Sequence, residues 1–129
     1  MFIHKMDDLA VPLILEMIRF AEYCPQIHPV ATAVVIKYCP KNEVIEEMLV
    51  ATSAWKPPTR AGGRNDWPYD LSYRLWSINT LGKVNLGAMA PPLQERMLHR
   101  LNYLAKEASE AQIKGEAKIA LTRLGQPQR

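Results

Sequence analysis

Prolines divide this chain into segments of about helix length, and their placement constrains the fold more than any other feature of the sequence. A proline inside a helix removes a backbone hydrogen bond and clashes with the preceding turn, so prolines mark helix starts and interruptions. Together with the apolar spacing between them, they predict helices over residues 11–23, 29–38, 43–54 and 68–81. The first begins near Val11, because Pro12 then lies in the opening turn.

The apolar spacing favours helix in most of these segments. Between Pro29 and Tyr38, however, Thr32, Val34 and Val35 favour a strand, and so short an apolar run has no decisive period. We predict a helix there, because no second strand is available to satisfy its backbone.

After Pro91 and Pro92, one apolar stripe runs from Leu93 to Leu124. A continuous helix of this span measures about 48 Å, which is longer than a chain of this size needs. We therefore expect its distal part to project from the body. The predicted fold is all-α, a helical bundle of about five helices with a long C-terminal helix. A single domain spans residues 1–124, and residues 125–129 form a flexible tail.

The composition is that of a soluble globular protein. Hydrophobic residues make up 48% and charged residues 22%, values typical of a packed core and not of disorder. Two cysteines are too few for a disulfide scaffold, and the first eight residues carry charge where a signal peptide is apolar. No apolar run reaches the roughly 20 residues of a membrane span. We predict a cytoplasmic protein with no membrane association.

Charge is distributed unevenly along the chain. Residues 1–54 hold four Lys/Arg against seven Asp/Glu, whereas residues 55–129 hold twelve against six. An acidic half joined to a basic half predicts a polar partner for the second half, or head-to-tail association between copies.

The segment Trp55–Trp76 carries the strongest functional signal, because it combines all three tryptophans of the chain with several cations. Aromatic rings stack on unpaired bases and arginines reach phosphates, so the combination is typical of binding to single strands. We predict a non-enzymatic accessory protein that binds nucleic acid, single strands in particular, or a nucleoprotein complex. The predicted contacts are Lys56, Arg60, Arg64, Trp67 and Arg74, extended by Arg96 and Arg100.

A different function is also open, because Trp, Tyr and Arg dominate protein interfaces. The same loop and the long C-terminal helix would suit a protein-interaction module or assembly subunit, acting as an adaptor, an inhibitor or a structural component, alone or as a homo-oligomer.

A zinc site is a further alternative. Cys24, His28 and Cys39 form the pattern C-x3-H-x10-C, with His4 as a fourth ligand, although cysteines at the ends of apolar helices are more often inert core residues. The sequence contains no P-loop, dinucleotide-binding, nucleophile-elbow or zinc-protease motif. We therefore predict no catalytic residue, no cofactor and no bound metal.

Overall fold

The computed structural model describes residues 2–38, 41–53 and 68–126, with side chains for residues 9–38, 41–53 and 71–126. These residues form six α-helices: α1 (Phe2–Phe20), α2 (His28–Tyr38), α3 (Asn42–Thr52), α4 (Pro68–Leu81), α5 (Pro91–Glu107) and α6 (Ala111–Arg123). Short 3₁₀ turns precede α2 and α5. No strand occurs in these ranges, so the all-α prediction is confirmed and the number of helices is one more than predicted.

The prediction for α1 is wrong at its start, because the helix begins at Phe2 and not near Val11. Pro12 lies inside the helix on its exposed side, and α1 continues through it although a proline cannot donate the backbone hydrogen bond of that position. The predicted apolar face holds, since Val11, Ile14 and Ile18 are buried. Within the described ranges, no helix is long and apolar enough to cross a bilayer.

The ambiguous segment is helical: α2 covers His28–Tyr38, as predicted. Its inner side packs against α4 through small and polar residues as well as apolar ones. The hydroxyl of Thr32 lies 3.0 Å from that of Thr80 in α4. A helix satisfies its own backbone, and β-branched residues therefore fit here without a partner strand.

The prediction of one long helix over residues 93–124 is wrong. The chain leaves helical geometry at Ala108, Ser109 and Glu110, where the ψ angles of Ala108 and Glu110 are 139° and 125°. The residues beyond this turn do not project. Ile113, Ala117 and Ala120 are buried, and α6 packs against both α5 and α4.

The spacing of the apolar stripe contains the signal of this break. Buried residues of α5 recur every three or four positions up to Ala108, but the next buried residue is Ile113, five positions later. Ala111, which lies between them, is exposed. A step of five does not return to the same face of a helix, so the stripe changes phase where the chain turns.

Helices α4 and α6 run side by side in the same direction, and α5 returns between the end of one and the start of the other. The pairs in contact along α4 and α6 are Arg74 with Glu110, Asn79 with Glu116, and Gly82 with Ala120. A methyl group built on Gly82 would lie 2.8 Å from Cα of Ala120. Gly82 ends α4 as predicted, but its role is to allow this close approach.

Helix α6 ends in a glycine cap. Gly125 adopts a φ of +79°, and its N–H donates to the carbonyl of Thr122, while the N–H of Gln126 donates to that of Leu121. This is the Schellman arrangement that satisfies the last carbonyls of a helix. The first two residues of the predicted tail are therefore held by hydrogen bonds, and residues 127–129 lie outside the described part of the chain.

The hydrophobic core draws on all six helices. Side chains with 1% exposure or less come from α1 to α6 and include Ile18, Val35, Ile45, Met48, Ile78, Leu81, Met97, Leu101, Ile113 and Leu121. Polar residues are few in this interior: among the residues with described side chains, the buried ones are Thr52, Ser77 and Thr80. One of these, Thr52, organises the candidate site.

Candidate nucleic-acid interface

The candidate site is built around Thr52, the last residue of α3, which is fully buried. Its hydroxyl donates to the carbonyl of Leu49 at 2.7 Å, as a threonine in the last turn of a helix commonly does. Its carbonyl has no partner within the helix, because the last carbonyls of any α-helix lack one. Two arginines from other helices supply the remaining hydrogen bonds.

Arg74 of α4 caps the end of α3. Its Nε donates to the carbonyl of Thr52 at 3.0 Å, and its side chain is only 14% exposed. Its Nη1 lies 3.4 Å from a carboxylate oxygen of Glu110, in the turn between α5 and α6. A cation at the C-terminal end of a helix is stabilised by the negative end of the helix dipole, which explains why a charged side chain lies here.

Arg100 of α5 reaches the same helix end from another direction. Its Nε donates to the hydroxyl of Thr52 at 3.1 Å, and its Nη2 contacts the hydroxyl of Ser53. Burial, and secondarily the positive charge of Arg74, lower the pKa of the Arg100 guanidinium. Within the described ranges, Arg100 makes no ion pair with a carboxylate. Two guanidinium groups therefore meet at one helix end.

Arg96, one turn earlier on α5, is engaged differently. Both of its terminal nitrogens contact the carboxylate of Glu46 on α3, with Nη2 at 2.7 Å from Oε1. Both side chains are largely exposed, at 59% and 40%. A solvated pair of this kind contributes little to stability, and its arginine is accessible to a competing anion.

The exposed side of α5 continues this basic surface. His99 and Lys106 are exposed, and Tyr103 is half-exposed with Arg100 stacked over its ring at 5.5 Å from the centroid. These residues lie at helical spacing, so they share one side of α5. We call the set Arg96, His99, Arg100, Tyr103 and Lys106 the α5 basic face.

Two cavities flank Arg100 and differ in charge. One, of about 320 Å³, is lined by both arginines of the helix end, by Ser53, Tyr103 and Ser109, and by Glu107 and Glu110. The other, of about 640 Å³, is lined by Arg96 and Arg100 but also by three carboxylates, those of Glu22, Glu46 and Glu47. The smaller cavity is therefore the better place for an anion.

Of the seven predicted contacts, the structure brings Arg74 and Arg100 together at the C-terminal end of α3. Arg96 lies one turn earlier on α5 and pairs with Glu46 in the middle of α3. Lys56, Arg60, Arg64 and Trp67 lie outside the described residues. They belong to the segment 54–67, which is joined covalently to Ser53 at one end and to α4 at the other.

The residues of this site that sequence reasoning missed include Thr52, Ser53, Tyr103 and Glu110. Ser53 and Glu110 carry no local motif, and their place depends on how α3, α4 and the α5–α6 turn meet. Tyr103 was detectable, because it follows Arg96, His99 and Arg100 at intervals that place it on the same side of a helix.

The residues of the alternative zinc pattern have other contacts where they are described. His28 donates from Nε2 to the carbonyl of Ala21 at 2.9 Å, and Cys24 is a free thiol 3.3 Å from the side-chain oxygen of Gln26. Cys39 and the side chain of His4 fall outside the described parts. The described residues contain no group of three or more His, Cys, Asp or Glu placed to hold a metal ion.

No family model, curated protein or solved structure matches this chain. The case for a function therefore depends on the geometry and charge of the site alone.

Proposed function

We propose that this protein binds single-stranded nucleic acid, as a non-enzymatic accessory factor, through the α5 basic face, Arg74 and the segment 54–67. The observation that carries the proposal is the convergence of Arg74 and Arg100 at Thr52 and Ser53, with Arg96 one turn away on the same side of α5. The next residue along the chain begins the segment 54–67, whose sequence combines two tryptophans with three cations. Arginines of the described helices and cations of this segment are therefore neighbours along the chain at Ser53.

The side chains at this surface suit an unpaired strand. Arginine presents a planar set of donors that matches the oxygens of a phosphate, and a half-exposed tyrosine offers a ring face to a base. Such binding tolerates many sequences, because every base has a face that can stack. A duplex fits less well, because its bases are already stacked on one another and offer no free face to Tyr103.

The test is fluorescence anisotropy of a labelled oligothymidylate with the full-length protein over a series of salt concentrations. We expect the logarithm of the affinity to fall linearly with the logarithm of the salt concentration, with a slope of about −0.7 for each phosphate neutralised. We also expect Arg100→Gln to weaken binding about tenfold, since it removes a charged hydrogen-bond donor.

Arg123→Gln is the matched control. Arg123 is exposed at the far end of α6 from Glu110, and its substitution changes the net charge by the same amount. It should leave the affinity within about twofold of the unmodified protein, because the distance exceeds the screening length at physiological salt. An affinity that does not respond to salt, or an equal loss in both variants, contradicts the proposal.

A protein-interaction function is the second candidate, and a different surface favours it. Leu9, Leu13 and Phe20 lie on one side of α1 and are 74%, 71% and 57% exposed. Apolar side chains grouped in this way are typical of contact surfaces. If a second copy of the chain covers them, light scattering gives a mass above that of the monomer, and Leu13→Glu returns it to the monomer mass. A monomer at all concentrations contradicts self-association.

A further inference from the structure

The guanidinium groups of Arg74 and Arg100 keep donors that no described residue accepts. In Arg100, Nε and Nη2 are used by Thr52 and Ser53, whereas Nη1 has no acceptor in the described part of the chain. In Arg74, Nε is used by Thr52 and Nη1 points to Glu110, whereas Nη2 has no such partner among the described residues. Each guanidinium group is thus anchored through some of its nitrogens, and another of its nitrogens has no acceptor among the described residues.

The anchoring fixes these groups before any ligand arrives. Both are attached to Thr52, which is fully buried, and the side chain of Arg74 is largely buried itself. A long arginine side chain on an open surface loses conformational entropy when it binds, and here much of that loss has already occurred on folding. The pair is therefore preorganised.

The carboxylates at the cavity do not pair closely with the two guanidinium groups. Glu110 lies 3.4 Å from Arg74, which is longer than the 2.7–2.9 Å of a strong charge-assisted hydrogen bond. Glu107 also lines the cavity, but it is exposed and forms no ion pair with either arginine. The two positive guanidinium groups repel each other. An anion bound between them would reduce this repulsion more than Glu110 does, because of the two arginines Glu110 contacts Arg74 alone.

The surrounding groups indicate which anion fits. Ser53 accepts from Arg100 and keeps its own O–H to donate, whereas the hydroxyl of Ser109, at the same cavity, donates to Glu110 at 3.3 Å. Two guanidinium groups and the Ser53 hydroxyl match the several oxygens of a phosphate group better than the two of a carboxylate. The ring of Tyr103 at the same cavity lies where a neighbouring base would stack.

We propose that Arg74, Arg100 and Ser53 form a phosphate-binding site at the C-terminal end of α3, with Glu110 acting as an internal competitor for Arg74. This inference rests on the proposed function and deepens it: the site receives one phosphate of a strand whose adjacent base stacks on Tyr103. Because the site is built on the folded helices, it also binds inorganic phosphate in the absence of any nucleic acid.

Thermal unfolding of the full-length protein, with inorganic phosphate compared with chloride at equal ionic strength, tests the site. Phosphate also stabilises many proteins without binding, because it is excluded from their surface. The stabilisation due to binding at the site is therefore taken as the difference in phosphate response between the variants and the unmodified protein. We expect Arg100→Gln to weaken phosphate binding about tenfold, which corresponds to the free energy of one charged hydrogen bond. We expect Glu110→Gln to strengthen it by a similar factor, because the variant removes a competing carboxylate.

Arg123→Gln is the matched control, because it removes the same charge at the far end of α6 and leaves the cavity of Arg74 and Arg100 unchanged. Its response to phosphate should equal that of the unmodified protein. Glu110→Gln distinguishes loss of the site from loss of folding. Glu110 is 45% exposed, and the variant is expected to bind phosphate more tightly, which a misfolded protein would not do. Equal phosphate responses in all four proteins, or no gain in Glu110→Gln, overturn the inference.

The oligonucleotide titration separates this inference from the proposed function. Binding to the strand with no specific response to phosphate would retain the function and remove the site. A phosphate response that Arg100→Gln abolishes, without binding to the strand, would retain the site and overturn the function. Loss of strand affinity in Tyr103→Ala with an unchanged phosphate response is the result expected if both are correct.

Discussion

Arg74 and Trp76 are two residues apart in α4, so their side chains leave the helix about 200° apart. Each belongs to a polar cluster: Arg74 lies with Arg100 and Thr52, and Trp76 lies with His28, Thr32 and Thr80. The cluster of Trp76 contains no Lys, Arg, Asp or Glu, and its hydrogen bonds join residues of the protein to one another. The cluster of Arg74 contains two arginines, whose guanidinium groups keep donors that no described residue accepts. One short stretch of helix thus shows how a cluster that stabilises the fold differs from one that is ready for a ligand.

The Trp76 cluster is closed. Its indole N–H donates to the hydroxyl of Thr32 at 2.8 Å, which in turn lies 3.0 Å from that of Thr80. The ring of His28 stacks on the indole at 5.0 Å, and its Nε2 donates to the carbonyl of Ala21. Buried polar groups that satisfy one another in this way fix the packing of α2 on α4 and leave nothing for a ligand.

The largest expected effect comes from removing the centre of the closed cluster. Trp76→Leu should lower the free energy of unfolding by about 3 kcal/mol, because it leaves a cavity, removes two ring stackings and deprives Thr32 of its donor. Urea unfolding at neutral pH measures this loss. If the two clusters are independent, folded Trp76→Leu binds phosphate with unchanged affinity. A loss of phosphate affinity in this variant would show that the two clusters are coupled.

A second prediction concerns the phenol of Tyr73, which borders the Trp76 cluster and loses its proton when the pH is raised. Tyr73 stacks on Trp76, and burial, with the charge of Glu47 as a second cause, raises its pKa to about 12. The folded state thus favours the neutral phenol, so this contribution is complete below the unfolded pKa of about 10 and is lost as the pH rises towards 12.

We expect the free energy of unfolding to fall by about 2 kcal/mol from this source between pH 9 and pH 12, as measured by urea unfolding at each pH. Tyr73→Phe is the control. It retains the ring but cannot ionise, and its stability should vary less over this range. An identical pH dependence in the two proteins would rule out Tyr73 as the group responsible.

The smallest effect concerns two fully buried threonines, one in each cluster. Thr52→Val and Thr80→Val each remove a hydroxyl while preserving shape, and each should lower the free energy of unfolding by about 1 kcal/mol. Their functional effects should differ. Thr52→Val releases Arg100 and weakens phosphate binding several-fold, whereas Thr80→Val does not alter it. Equal affinities in the two variants would contradict an anchoring role for Thr52.

The parts of the fold that sequence reasoning predicted are those fixed by local rules. Pro68 and Gly82 bound α4 as expected, and α2 is a helix, with no strand beside it in the described part of the chain. The start of α1 differs from the prediction because a proline does not always mark a helix boundary. The split of the C-terminal helix is hidden in the sequence because Ala111 fits the apolar spacing, although it is exposed in the structure.

The site was predictable only in part, for a similar reason. Its residue types follow from sequence, since two of the arginines proposed from composition, Arg74 and Arg100, meet at one helix end. The exact arrangement depends on contacts between distant residues. Thr52 and Arg100 are 48 positions apart, and Arg74 and Glu110 are 36 apart, so no local pattern brings them together.

The three-residue turn between α5 and α6 makes the last helix a separable unit. If the turn straightened, α6 would leave its own α4 and occupy the equivalent groove of a second molecule, with every side-chain contact of that groove reproduced. Such domain swapping costs little beyond the turn itself, and it is favoured at high protein concentration. The close contact between Gly82 and Ala120, which here joins two helices of one chain, would then form between two chains.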